Sequence, residues 1–201
     1  MKKNLLKFIA VLCFGLFLNG QNVSAQAFKD GTNVIQVGIG FPNLLAESSS
    51  AYSLFGTVST STTPPIHIGF EHGITDNISV GGYFGYTAQK ISWDYTNTNP
   101  VVTQTISNSW IILGARGNYH FATSESFDPY AGVFLGYFIA SSSITSTDPN
   151  YGFGTTISGA ASTVGFGAQI GFNYYFSDSF GAHVELGYGL AIFNVGLSLK
   201  F

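Results

Sequence analysis

Between Gly165 and Tyr175 the chain alternates with period two. Gly165, Gly167, Gln169, Gly171, Asn173 and Tyr175 form one set; Val164, Phe166, Ala168, Ile170, Phe172 and Tyr174 form the other. Successive side chains of a strand point to opposite faces, so one face is wholly apolar and the other is glycine and polar. The glycines sit on the polar side, which makes the polar side the cramped one. That inversion suits a closed barrel with lipid outside and a narrow polar interior.

The same reading divides residues 26–201 into eight segments separated by Gly, Pro, Ser, Thr, Asn and Asp clusters. Strand one, 32–41, turns Ile35, Val37, Ile39 and Phe41 outward and Gln36, Gly38 and Gly40 inward. Strand two, 65–74, turns Ile66, Ile68, Phe70 and Ile74 out and His67, Gly69, Glu71 and Gly73 in. Strand three, 77–89, has Ile78, Val80, Phe84 and Tyr86 out, with Ser79, Gly81, Tyr83 and Gly85 in. Strand four, 109–121, has Ile111, Leu113, Ala115, Tyr119 and Phe121 out, with Ile112, Gly114, Arg116 and Asn118 in. Strand five, 129–139, has Ala131, Val133, Leu135, Tyr137 and Ile139 out, with Tyr130, Gly132, Phe134 and Gly136 in. Strand six is 165–175. Strand seven, 181–190, has Ala182, Val184, Leu186, Tyr188 and Leu190 out, with His183, Glu185, Gly187 and Gly189 in. Strand eight, 192–201, has Phe193, Val195, Leu197, Leu199 and Phe201 out, with Asn194, Gly196, Ser198 and Lys200 in.

Each segment has about the 9–11 residues of a tilted membrane strand, and an even number of strands closes without an exposed edge. The expected fold is all-β: an eight-stranded antiparallel transmembrane up-and-down barrel. Three connections are short: 75–77, 122–128 and 177–179. Three are long, 42–64, 90–108 and 141–163, and a fourth near Ala191 is very short. Short turns lie on the periplasmic side of such barrels and long loops outside.

Composition sharpens this picture. Only 8% of residues are charged, against 45% hydrophobic and 16% aromatic; a soluble domain carries roughly a quarter charged. No stretch is apolar for the ~20 residues of a membrane helix. Lys2, Lys3 and Lys7, the apolar run 8–18 and the small residues Val23-Ser24-Ala25 have the layout of a cleaved export signal, residues 1–25, with Ala25-Gln26-Ala27 as a second site. The barrel domain is then 26–201. The lone cysteine, Cys13, leaves with the signal, so no thiol chemistry remains. Without the three lysines, four basic residues face ten acidic ones, net −6. No basic patch for nucleic acid exists.

The segments WIILGARGNYHF (110–121), DPYAGVFLGY (128–137), GAQIGFNYYF (167–176), ELGYGL (185–190) and NVGLSLKF (194–201) resemble the small eight-stranded outer-membrane barrels, the OmpA-barrel, OmpX and OmpW-like "porin family" proteins. The resemblance covers essentially all of 26–201 and specifies architecture better than activity. It implies residence in the lipid of a Gram-negative outer membrane and insertion by the barrel-assembly machinery. Terminal Phe201 with Leu199 and Leu197 is similar to the signal that machinery reads.

Four charged residues have inward parity: Glu71, Arg116, Glu185 and Lys200. A lumen this narrow is filled by side chains, so one arginine fork reaches two carboxylates. Gln36, Asn118, Gln169 and Asn173 are expected to complete the hydrogen bonding. This network reads as a structural plug, or as a gate in a permeation path if the inward glycines leave room for water. The histidines show no H-x-H or H-E-x-x-H spacing, and nothing in the chain calls for a metal or cofactor. Trp93, Trp110, Tyr137, Tyr188 and Phe193 are expected in an outer aromatic girdle, and Tyr119, Phe121, Phe172, Tyr174 and Phe201 in an inner one. The Ser/Thr-rich long loops are the expected place for a surface ligand. The expected role is a non-enzymatic structural or surface-interaction barrel. The alternatives are a narrow pore for ions or small solutes, and a lipid-acting outer-membrane enzyme using His67, the histidine nearest an outer strand end.

Overall fold

A computed structural model of the chain describes residues 26–121, 124–148, 150 and 157–201. The expected export signal lies outside the described residues, as do 122–123 of one short turn and 151–156 of one outer connection. The strands are β1 (Asn33–Asn43), β2 (Val58–Gly73), β3 (Ile78–Tyr95), β4 (Val102–His120), β5 (Phe127–Ser146), β6 (Ile157–Tyr175), β7 (Phe180–Tyr188) and β8 (Ala191–Lys200). They pair antiparallel in sequence order, and β1 pairs with β8 from Val34↔Lys200 to Asn43↔Ala191 to close the barrel.

The alternation sets the faces as expected except at Leu190, expected outward, which lies past the end of β7 and turns into the lumen at 2% exposure. Val37, Leu135 and Phe166 are 52%, 61% and 75% exposed on the outside, while Gln36 and His67 are 0% and 1% exposed inside. An apolar exterior of this extent is stable against hydrocarbon and not against water, and a closed sheet leaves no backbone group unpaired in lipid. The chain therefore has a transmembrane barrel fold. On β4 the apolar band runs from Ile111 to Tyr119, about 27 Å along the strand and roughly 21 Å in height at ~40° tilt, close to the ~25 Å such barrels need.

The upper edge of this band is sharp. The paired outward row Ile66, Tyr86, Ile111, Ile139 is apolar. The next row is Thr63, Ala88, Ser109, Ser141, and the one above it is Ser61, Lys90, Ser107, Ser143. Here the sequence-based expectation needs correction. Most of the three long connections is strand: β2 begins at Val58, β3 and β4 meet across 96–101, and β5 reaches Ser146. Threonine and serine suit an outer face in water, and the buried inner face there mixes Thr87, Gln89 and Gln104 with Ile91 and Trp93, so no apolar alternation marks these strands. Five tall strands, β2–β6, therefore rise above the band, while β7 and β8 turn at Gly189–Leu190 and leave one side low.

The outer girdle is corrected too. Trp93 is only 2% exposed and points inward, stacked on Tyr52 with ring centroids 4.7 Å apart. Tyr52 belongs to a short 3-10 segment, Ser50–Leu54, that lies against the inner face of the tall strands. Trp110 shares a row with inward, fully buried Thr87. Tyr137 and Tyr188 do face outward.

Candidate functional site

The lumen at the short-turn end is built from polar side chains on consecutive inward positions. Arg116, on β4, reaches Glu71 on β2 with Nε 3.2 Å from Oε1, and its Nη2 contacts Glu185 Oε2 on β7. The guanidinium also lies over the Tyr130 ring, 5.6 Å from its centroid. Tyr130 donates its hydroxyl to Glu185 at 3.0 Å and accepts from Gln36 Nε2 at 3.2 Å. Gln36 Nε2 donates also to Asn173 Oδ1 at 2.9 Å, and Asn173 Nδ2 donates to Asp128 Oδ2 at 3.0 Å. Asp128 Oδ1 holds His120 Nδ1 at 2.7 Å. His120 Nε2 lies 3.0 Å from Ser79 Oγ, which donates to Glu71 Oε2 at 2.8 Å. The contacts return to their start. Nine residues form a closed ring, none more than 4% exposed. Strands β1 to β7 all contribute, and β8 joins through Ser198, whose hydroxyl donates to Asn173 at 2.7 Å.

The partners fix the protons. Glu71 accepts, so the Ser79 proton points to it, and His120 must donate to Ser79 through Nε2. His120 donates to Asp128 through Nδ1. With Glu71 and Asp128 both ionised, this arrangement puts a proton on each ring nitrogen. Three carboxylates then face two cations, a nearly balanced buried cluster of the kind that tolerates loss of no single partner.

Ser79, His120 and Asp128 have the spacing of a Ser–His–Asp triad, but the proton order is wrong for one. A general base needs a free lone pair to take the serine proton. His120 has none here, and Ser79 gives its proton to Glu71. All three are fully buried.

A second histidine pair sits higher. His67 Nε2 and His183 Nε2 are 3.1 Å apart, against Gly38, where a Cβ would lie 2.6 Å from His67 Cε1. Ser198 has given its proton to Asn173, so His183 Nδ1 donates to Ser198 at 3.3 Å, and the shared proton belongs to His67. Among the described residues no group of three metal-ligating side chains converges.

Above this polar layer Ile112, Phe134 and Leu190 form an apolar one, packed by Leu45, Tyr83 and Phe138. The inward glycines do not leave open volume. A Cβ on Gly167 would lie 2.0 Å from the Phe134 ring, because that ring occupies the space. The cavity touching Arg116 and Glu185 measures about 20 Å³, room for about one water.

Of the residues singled out in the sequence, the structure brings Glu71, Arg116, Glu185, Gln36 and Asn173 into the ring. Asn118 and Gln169 pair with each other at 2.8 Å beside it. Lys200 lies at the rim, its Nζ 4.4 Å from the Tyr175 ring centroid, and it is Arg116, not Lys200, that pairs with Glu71 and Glu185. Ser79, His120, Asp128 and Tyr130 were not singled out. Their signal was present, since His120 continues the inward series Arg116, Asn118 and Asp128 precedes Tyr130 by two.

A closed eight-stranded transmembrane β-barrel with a filled lumen is thus the class that fold and site define. No family model and no curated protein matches the chain. Among solved structures, the outer membrane protein OprG from Pseudomonas aeruginosa is similar with a TM-score of 0.50 at 12% identity, over 89% of this chain and 99% of that one. The N-terminal β-barrel domain of Pseudomonas aeruginosa OprF aligns with a TM-score of 0.46 at 15% identity, over 86% and 98%. Ail, the attachment invasion locus protein of Yersinia pestis, aligns with a TM-score of 0.45 at 12% identity, over 86% and 99%. At these identities the likeness is one of fold.

Proposed function

We propose that this chain is an outer-membrane barrel with a closed lumen and a structural or surface-interaction role. One observation carries the reading: the ring of hydrogen bonds and ion pairs ties all eight strands together across the bore, leaving space for about one water beside it. The short turns face the periplasm, and the tall strands β2–β6 stand outside, where a surface partner is met. Residues 1–25 direct export, and Phe201 with Leu199 and Leu197 directs insertion by the barrel-assembly machinery. The pore reading is not favoured, because the polar ring and the apolar layer of Ile112, Phe134 and Leu190 lie in series. The role in this reading is non-enzymatic, which fits a Ser79–His120–Asp128 group that is wholly buried.

Membrane fractionation and planar-bilayer recording test this together. The full chain expressed in a Gram-negative host is expected in the outer-membrane fraction. The purified barrel is expected to give no reproducible conductance steps, and a fluorophosphonate probe is expected to leave Ser79 unlabelled. Steady unitary conductance from the wild-type protein, lost on substitution of Arg116, would establish the pore instead.

A further inference from the structure

The short-turn mouth of the barrel is occupied by the residues that precede β1. Ala27 and Phe28 are both fully buried. The Phe28 ring lies flat on the His120 imidazole, with centroids 3.5 Å apart and planes within 2°. Ala27 N–H donates across the mouth to the Ser124 carbonyl at 2.7 Å. The chain then returns to the rim, where Gly31 N–H donates to the Gly73 carbonyl at 3.0 Å and Gly73 N–H to the Thr32 carbonyl at 2.8 Å. Gly73 makes the seat: a Cβ there would lie 2.9 Å from Phe28 Cζ and 2.6 Å from the Lys29 carbonyl.

We propose that residues 26–28 are a built-in stopper that seals the short-turn mouth and keeps water from the His120–Asp128 pair. The face of an aromatic ring attracts a cation, and it does so more strongly where water is excluded. His120 carries protons on both nitrogens, so Phe28 covers its charged face. The stopper precedes Asn33, the first residue of β1, and no strand pairing depends on it. It therefore unseats without opening the barrel, as a local event of lower free energy than global unfolding. The inference goes beyond the outer-membrane reading and does not depend on it.

Hydrogen exchange on the purified full-length mature barrel in detergent tests the stopper, with folding checked by heat-dependent gel mobility. In the wild-type protein the Ala27 amide is expected to exchange at least ~10-fold more slowly than in an unstructured peptide. The His120 ring C–H is expected to exchange as slowly as those of His67 and His183. In Phe28→Ala, exchange at His120 is expected to rise about tenfold, with His67 and His183 unchanged. Gly73→Ala, which displaces the ring from the other side, is expected to do the same. An Ala27 amide exchanging at the free-peptide rate would overturn the proposal, as would an equally slow His120 in folded Phe28→Ala. If Phe28→Ala does not fold, the wild-type amide and Gly73→Ala decide it.

Discussion

Replacing Arg116 with leucine removes the side chain that joins the carboxylates of β2 and β7. Glu71 and Glu185 keep side-chain exposures of 2% and 4%; each retains one hydroxyl donor, from Ser79 and Tyr130 respectively, and Glu71 keeps a second neighbour, His120 Nε2 at 3.6 Å. A hydroxyl satisfies a lone pair but does not neutralise a charge. Removing one partner of a buried ion pair costs about 3–5 kcal/mol, and here both carboxylates lose the same cation. Arg116→Leu is therefore expected to lower the unfolding free energy by about 3–5 kcal/mol. Equilibrium unfolding by urea in lipid vesicles, followed by the fluorescence of Trp93 and Trp110, measures it. Combining Arg116→Leu with Glu71→Gln and Glu185→Gln is expected to recover most of the loss, because the lumen is then neutral at this layer. Arg116→Lys keeps the charge but lacks the planar fork, and is expected to fall between wild type and the leucine variant. Arg116→Leu within ~1 kcal/mol of wild type would refute the electrostatic account of the ring.

Gly38→Ala is expected to destabilise the barrel by about 1–3 kcal/mol in the same assay. His67→Ala is not expected to rescue it, because the new Cβ also meets the Val195 carbonyl at 2.6 Å. Leu135→Arg, in the middle of the apolar band, is expected to cost about 2–4 kcal/mol in vesicles, while Ser107→Arg, two rows above the boundary, is expected to change stability by less than ~0.5 kcal/mol; similar costs for the two would misplace the boundary. Intact mass of the exported protein is expected to show a chain starting at Gln26, since processing after Ala27 would remove a fully buried residue whose N–H is bonded to Ser124.

Much of the fold was legible because a lipid exterior imposes one simple rule on every second residue. The inward parity of Gln36, Glu71, Arg116, Asn173 and Glu185 follows directly from it. What parity does not contain is stagger, the offset between neighbouring strands, which places Glu71 beside Gly81 and Gly81 beside Arg116. Stagger alone decides which inward side chains meet. His120 and Asp128 flank a turn, where counting by two stops, so their meeting was hidden. Above the band the rule itself lapses, because the outer face meets water and the buried inner face mixes polar with apolar residues, and the Ser/Thr runs of β2–β6 therefore read as loops. Trp93 shows the same lapse in reverse: the inner face there is a small dry core under Tyr52, so its aromatic residue turns inward.

The circuit of nine side chains includes Gln36 near the amino end and leans on Ser198 near the carboxyl end, with Asn173 touching both. A partly assembled sheet cannot contain that circuit, since its two terminal ribbons have not yet met. The final zippering event is therefore rewarded twice, by the seam itself and by the completion of contacts on the far wall. Nascent forms with an open seam hold carboxylates that lack their full complement of donors, and they are correspondingly short of stability until the last ribbon docks.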